Sequence, residues 1–449
     1  MNIIPARGRK RKLLYFIVKE QPVKMNIIPA RGRKQEKLYF IVKEQPENEH
    51  NPRKGTETCF LIVYLCHIVS KMNIIPARGR KQCRLAGVAS LKSTENEHNP
   101  RKGTENKNMR YHTKRGMRMS FVYITEEGAR IQKKGGKFLV GRNLEILFEI
   151  PEEVLEGLVL IGSVQVSSQA MVELLRLGIP VTWISGTGKF FGRLESTSHV
   201  NVFKQQKQIV LQDTPMLFAL AKQVIMAKVH NQITVLRQYN RRAVNRTVTA
   251  DIENIQRIRK NIQFAADKKE LMGYEGIIAR VYFHGLGQLV PPDFAFTKRT
   301  KQPPLDPFNT MLSFGYTLLM YDIYTAVSNQ GLHPYFGFLH ALKNHHPALA
   351  SDLMEEWRAV LVDSMALSLV HHHEITREHF QHAESGDGIF LTREGRQLFI
   401  KAYEKKLRST NQYLESKQSF RKSLETQAGK YAQCMMDEDV KKYTPIYIR

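Results

Sequence analysis

The stretch TPMLFALAKQVIMAKVHNQITVL, residues 214–236, decides the fold class. Leu217, Leu220, Val224, Ala227, Ile233 and Leu236 recur at three- and four-residue steps, or at sums of them, which is the apolar face of one long helix. Thr214 and Pro215 open it, because proline is pre-set for a first helical turn and has no N–H to waste there. Upstream the pattern differs. FVYITEEGARI, KKGGKFLVGR, NLEILFEIP, LEGLVLIGSVQVS, VTWIS and KFFGRLES are short runs rich in Val, Ile, Phe and Thr, parted by Gly-Gly, Pro and Gly-Thr-Gly. These read as strands joined by turns, interrupted by one helix over about Ser168–Leu177 that Gly178 stops. The expectation is an α+β protein: a small N-terminal β-rich domain at residues 119–200, then a larger all-α domain at 201–449. Further helices are expected at about Ile252–Phe264, Tyr274–Phe283, Thr310–Val327 and Pro334–Lys343, and from Asp352 into LVDSMALSLV. The Pro-rich, basic stretch at 291–309 reads as loop.

Ahead of residue 119 the chain repeats itself. MNIIPARGRK begins at Met1, Met25 and Met72, LYFIVKEQP at Leu14 and Leu38, and ENEHNPRKGTE at Glu47 and Glu95. A solenoid keeps its apolar positions and lets its surface vary. Here polar and apolar letters are copied alike at irregular spacing, which points to duplicated DNA. Residues 1–118 are expected to be a disordered leader, or to hold isolated short strands at best. Met119 is the preferred start of the protein proper. The functional alternative is a basic arm that adds nonspecific DNA affinity.

The formal charge of +26 over 449 residues is uneven. Residues 1–118 hold 27 Lys and Arg against nine Asp and Glu; the remaining 331 residues hold 41 against 33. A moderately basic body with clustered positive side chains suits a phosphate-tracking surface, or an ordinary solvated one. Cys59, Cys66, Cys83 and Cys434 show no paired metal-ligand spacing, which argues against a disulfide scaffold or a zinc module. The apolar run Cys59–Val69 is too short for a bilayer and too far along the chain for a simple signal peptide. The reading is cytoplasmic, with no membrane.

Three short pieces carry the candidate chemistry: GYEGIIAR around Glu275, HPYFGFLH ending at His340, and DLMEEWR from Asp352 to Arg358. Carboxylates with an imidazole suit Mg²⁺ or Mn²⁺, and such a metal at a basic surface polarises a phosphodiester. Each member also has a plainer reading. Glu275 could be a helix-terminal acid paired to Arg280, and His340 an ordinary histidine on a helix. Asp352 at an N-cap with Glu355 three residues on resembles a capping box. Against this, two carboxylates three apart on one helical face repel unless a cation or a proton sits between them. His371, His372 and His373 would point in three directions from a helix and cannot chelate one ion. His333 reads as a helix-cap neighbour, and His345 and His346 as loop residues.

In their order and spacing, GYEGIIARVYF, RTKQPPLDPFNTMLSFGYTLL, HPYFGFLH and SDLMEEWRAVLVDSMAL resemble the CRISPR-associated endonuclease and integrase of spacer acquisition, over about residues 119–449. The resemblance implies an N-terminal β domain that forms the homodimer, and an α domain that holds the metal site. It implies Glu275, His340 and Glu355 as ligands of Mg²⁺ or Mn²⁺, with Asp352 as the accompanying acid and all four as catalytic residues. It further implies double-stranded DNA, both captured fragments and CRISPR repeat, and the small second CRISPR adaptation protein as partners. The reaction so implied is transesterification, a 3′-hydroxyl of the incoming fragment attacking a phosphodiester at a repeat boundary. Candidate DNA contacts are Lys298, Arg299 and Lys301, then Arg237, Arg241 and Arg242, and Arg280. The competing class is a noncatalytic DNA-binding scaffold of the same adaptation complex. The leader also gains a reading: its first two copies begin 24 residues apart, compatible with a repeat-spacer array translated in frame.

Overall fold

The structure is a computed structural model that describes Leu14–Val18, Leu38–Val42 and residues 120–448, apart from 242–243, 384–385 and 413–415. The expectations for the rest of the leader, including Met119, Cys59, Cys66 and Cys83, lie outside the described residues. Strands β1 (Leu14–Val18) and β2 (Leu38–Val42) pair in parallel, Leu14 opposite Leu38, so the two copies of LYFIV lie in register.

From Ser120 the chain builds β3 (Ser120–Ile124), β4 (Arg130–Lys134), β5 (Lys137–Arg142), β6 (Glu145–Pro151), β7 (Leu155–Ile161), β8 (Gln165–Val166), α1 (Ser168–Arg176), β9 (Val181–Ile184) and β10 (Phe190–Leu194). They form two four-stranded sheets, ordered β10-β9-β7-β3 and β6-β5-β4-β8. Helix α1 starts where the Ser167 hydroxyl accepts from Ala170 N–H and ends before Gly178, whose φ of +71° suits glycine. Strand β7 joins two cores through the two-residue period of a strand. Leu158 and Leu160 pack among Ile131, Phe138, Val140 and Leu174 between the sheets. Val159 and Ile161 belong instead to the helical core.

The part after residue 200 is mainly helical, with α2 (Val202–Val210), α3 (Pro215–Asn240), α4 (Arg246–Arg259), α5 (Lys268–Gly287), α6 (Pro307–Asn329), α7 (Ala348–Met354), α8 (Ser364–His371), α9 (Arg393–Arg408) and α10 (Phe420–Asp437). It is not all-α: Phe380–His382 pairs with Ile389–Leu391, and Thr410–Asn411 with Gln418–Ser419, in short antiparallel ladders. The six apolar positions of the opening stretch are all buried on α3, and Thr214 caps it by accepting from Leu217 N–H. Each such Leu, Ile or Val contributes about 1.5–3 kcal/mol on full burial. Helix α4 starts six residues earlier than Ile252, because Asn245 accepts from the N–H groups of Thr247 and Val248. Among the described residues no single helix is long and apolar enough to cross a membrane.

Three expectations fail between residues 334 and 371, and together they shape the site. Residues 334–343 are not a helix: the chain turns irregularly there and forms a small bridge between Lys343 and His346. The N–H groups of Phe338, Leu339 and His340 donate to the Asp352 carboxylate rather than to carbonyls four residues back. Asp352 is accordingly not an N-cap. It lies within α7, which begins after Pro347, and Glu355 is the residue at that helix's C-terminal end. Nor does the helix continue into LVDSMALSLV unbroken. A turn at residues 355–357 is followed by a π-helical turn over Arg358–Asp363 before α8. Such widened turns are common at functional sites.

Candidate active site

Four segments meet at one point: α3 brings Lys228, α5 brings Glu275, the turn after Pro334 brings His340, and the end of α7 brings Asp352 and Glu355. Asp352 is fully buried. Its Oδ2 accepts from Phe338 and Leu339 N–H at 2.6 and 2.8 Å, and its Oδ1 from His340 N–H at 3.1 Å. A carboxylate in a ring of amides is strongly held, because each bond is charge-assisted. Gly337 lets the chain wrap this closely; a Cβ there would collide with Asp352 Oδ2 and with Ala348. Asp352 Oδ1 also lies 2.5 Å from His340 Nδ1. That contact puts the proton on Nδ1 and turns Nε2 toward Glu355, whose Oε1 is 4.0 Å away.

Between Glu275 and Glu355 stands the Lys228 ammonium. It forms an ion pair with Glu275 Oε1 and lies 2.6 Å from Glu355 Oε2, which nonetheless has no properly directed hydrogen-bond donor. Arg358 Nη2 reaches Glu355 Oε1 at 3.2 Å. Burial by itself would push the Glu355 carboxyl up, but Arg358, Lys228 and His340 together bring it down to about 2. Burial likewise opposes the Lys228 charge, yet Glu355 and Glu275 outweigh it and hold the ammonium above its ordinary range. For His340, burial is outweighed by the bond to Asp352, which raises it.

The point opens into a cleft of about 1370 Å³ whose walls include Lys228, Glu275, Arg280, Lys298, Arg299, Lys301, Tyr316, His345, His346 and Arg358. Glu355 is not on the wall; it is reached through Lys228 and Arg358. Tyr316 is flanked by the guanidinium groups of Arg299 and Arg358, 5.4 and 5.1 Å from its ring centre. Its hydroxyl donates to Asp363 Oδ1, and Tyr282 donates to Oδ2.

Of the sequence-predicted contacts, Arg280, Lys298 and Lys301 are exposed on the cleft wall. Arg299 is more engaged, donating to Asn309 Oδ1 and Ser313 Oγ at 2.9 Å each. Arg237 and Arg241 are exposed away from the cleft, and Arg242 lies outside the described residues. His371 and His372 bond to the backbone of Leu289 and Ser368. His333 caps no helix; its backbone N–H donates to Gln208.

Sequence reasoning missed Lys228, Arg358 and Glu356. Lys228 is visible in the sequence as a cation in the buried register of α3, four residues after Val224 and seven before Val235. Glu356 points away from the cleft: it accepts from Tyr443 Oη, Ile446 N–H and Gln427 Nε2. Asn231 ties the same tail through Ile446 O and Ile448 N–H.

Among the described residues no three His, Cys, Asp or Glu side chains converge tightly enough to chelate a metal as they stand. In kind they fit one: two carboxylates, an imidazole with one nitrogen fixed by Asp352, and a buried carboxylate oxygen lacking a directed donor. The place of the cation is held by Lys228.

The family described as CRISPR associated protein Cas1 matches residues 122–405. The chain belongs to the Cas1 family. Within it, the CRISPR-associated endonuclease Cas1 3 of Thermus thermophilus is 32% identical over 334 residues, 73% of this chain and 97% of that one. The CRISPR-associated endonuclease Cas1 of Mycobacterium tuberculosis is 30% identical over 295 residues, 66% of this chain and 86% of its own length. A chain of a Cas6-RT-Cas1–Cas2 complex superposes with a TM-score of 0.67 at 25% identity, covering 74% of this chain and 36% of that one. A CAS1 protein from Thermotoga maritima shares the fold, with a TM-score of 0.63 at 23% identity over 74% of this chain and the whole of its own. The strand-then-helix order of the Cas1 fold agrees with the α+β class expected from the sequence.

Proposed function

We propose that this Cas1 family member is a divalent-metal-dependent DNA endonuclease and integrase that inserts captured fragments as new spacers into a CRISPR array. The observation that carries the proposal is the convergence of Glu275, His340 and Glu355, from three distant segments, at the head of a cleft walled by Arg280, Lys298 and Lys301. Glu275, His340 and Glu355 would hold Mg²⁺ or Mn²⁺, which when bound polarises a phosphodiester and offsets the charge that develops on it. Asp352 holds the His340 ring in one orientation. Arg280, Lys298 and Lys301 attract the DNA backbone, which positions the duplex without reading its sequence. Arg358, tied to both Glu355 and the Tyr316 face, keeps the Glu355 carboxyl ionised. A 3′-hydroxyl placed in the cleft gives joining; a water in its place gives cleavage.

The partners on this reading are double-stranded DNA, a second copy of the chain and the small second adaptation protein, in the cytoplasm. The homodimer is supported by the edge strand β6, where Ile146, Leu147 and Phe148 are exposed beside an exposed Leu144. The small partner is supported by the similar chain of the Cas6-RT-Cas1–Cas2 complex, an assembly that pairs Cas1 with Cas2.

One observation favours a noncatalytic scaffold: Lys228 and Arg358 together already balance the charge of both glutamates, which lets these acids serve structure alone. The two readings separate in one assay. The full chain, with Glu275→Ala, His340→Ala and Glu355→Ala variants, is offered a short 3′-hydroxyl duplex and repeat-bearing DNA, with the small partner, with and without Mn²⁺. Metal-dependent joining that the variants lose, while they still bind DNA, is the expected result. DNA binding without joining or cleavage by the native chain puts the scaffold first.

A further inference from the structure

Lys228 is the residue that neither the family resemblance nor the metal reading uses. Its side chain is buried on α3, yet it carries a charge, and the structure gives that charge two carboxylates, Glu275 and Glu355. Without the ammonium, Glu275 and Glu355 would face each other across a poorly hydrated gap, with Arg358 and the more distant His340 ring, both on the far oxygen of Glu355, to offset only one of them. A buried ionic group that loses its partner is strongly destabilising, so a cation of some kind is required at this position at all times. With Nζ already in contact with Glu275 Oε1 and Glu355 Oε2, no room remains for a second cation between the same two oxygens.

We infer that Lys228 is the resident cation of the metal-free site, displaced when a divalent ion binds and turned into the cleft to meet a DNA phosphate. The inference rests on the metal reading above and adds a coupling to it. The displaced ammonium cannot stay buried without an anion. Lys228 lines the cleft, and the other cations there, Arg280, Lys298 and Lys301, offer it nothing. The substrate backbone does. DNA in the cleft therefore stabilises the displaced lysine and with it the bound metal, and by linkage the metal tightens DNA by the same factor. With no DNA present, the lysine competes with the metal and keeps the site closed to it, which restrains a nuclease that has nothing correct to cut.

The test uses the full chain. Amine labelling followed by mass spectrometry reads Lys228 directly: it should be protected in metal-free protein and become reactive at saturating Mn²⁺, then protected again when a short duplex is added. In parallel, Mn²⁺ affinity is measured by calorimetry for native protein, Lys228→Met and Lys228→Arg. Lys228→Met removes the competitor and should bind Mn²⁺ at least about tenfold more tightly, with its affinity improved less by DNA than that of native protein. Lys228→Arg should stay at or below native affinity. If native protein binds Mn²⁺ while Lys228 remains protected, or if Lys228→Met binds Mn²⁺ no better, the displacement is wrong and the metal reading stands. If neither protein binds Mn²⁺ at all, the metal reading itself falls and takes the inference with it. Should Lys228→Met fold only with metal present, the labelling of native protein still decides.

Discussion

Glu355 and Glu356 are neighbours of the same type, both buried, and they live in opposite electrostatic worlds. Glu355 faces the cleft side, where Arg358, Lys228 and His340 overcome its burial and bring its carboxyl to about 2. Glu356 faces the tail side, among Tyr443, Gln427 and the backbone of Ile446, with no cation in contact. There burial dominates, the donated hydrogen bonds offset it only in part, and the carboxyl is pushed up to about 8. One turn of chain thus holds a carboxylate among the cations behind the cleft and a carboxylic acid in the core. Two glutamates in a row say nothing about such a division; the partners they meet decide it.

The largest effect should come from exchanging the charged member. Glu355→Gln is expected to lower metal-dependent joining by about 10²–10³-fold, measured as product formed per unit time. Glu356→Gln, which keeps the neutral shape, should join at close to the native rate. Equal losses in both would mean that the cleft side and the tail side are not distinct. Next comes the anchor of the cleft side. Asp352→Ala strips three backbone N–H groups and His340 of their acceptor and should cost about 3–5 kcal/mol, seen as a lower urea midpoint. A loss below about 1 kcal/mol, the worth of an ordinary hydrogen bond, would show that the turn after Pro334 holds itself.

A smaller effect separates the two glutamates by pH. Glu356 has a folded value near 8 against an ordinary 4.5, so its stabilising contribution is complete below about 4.5 and is lost as pH rises toward 8. Glu355 runs the other way: its contribution is present above 4.5 and is lost as pH falls toward 2. Melting temperature against pH should therefore decline from pH 5 to 8 in native protein and decline less steeply in Glu356→Gln, where Asp363 and Glu156, pushed up by burial to about 6 and about 7, still contribute. A Glu356→Gln profile parallel to the native one would show that Glu356 is ionised after all. The smallest effect is expected at the rim. Lys298→Ala should reduce the slope of DNA affinity against salt by about 0.9, the share of one phosphate contact, and leave the melting temperature unchanged.

What the sequence discloses is whatever local chemistry controls. The apolar register of α3, Thr214 with Pro215, and Gly178 after α1 all act within a few residues, and the elements they predict are present. What it hides depends on contacts across the chain. HPYFGFLH has enough apolar residues to suggest a helix, but its amides are claimed by Asp352, 12 to 14 residues on, so the helix cannot form. Asp352 resembles a cap because an acid followed by an acid three residues later often is one; its true partners come from before the helix begins. Glu275, His340 and Glu355 are named by the resemblance and do approach one another in space. The lysine between them reads in the sequence only as part of a helix, although a charge on a face of Val and Ile is itself a signal that an acid waits opposite.

The tail that Glu356 and Asn231 grip has a consequence for how this protein fails. A single proteolytic nick after Glu438 would remove no residue of the cleft, no candidate ligand and none of the cationic rim. It would leave Glu356 and Asn231 without the backbone groups they were folded around, one residue and one helical turn from Glu355 and Lys228. Damage at the far end of the sequence would then be felt first as a loosened turn at residues 355–357, in a molecule that still carries every residue of its cleft.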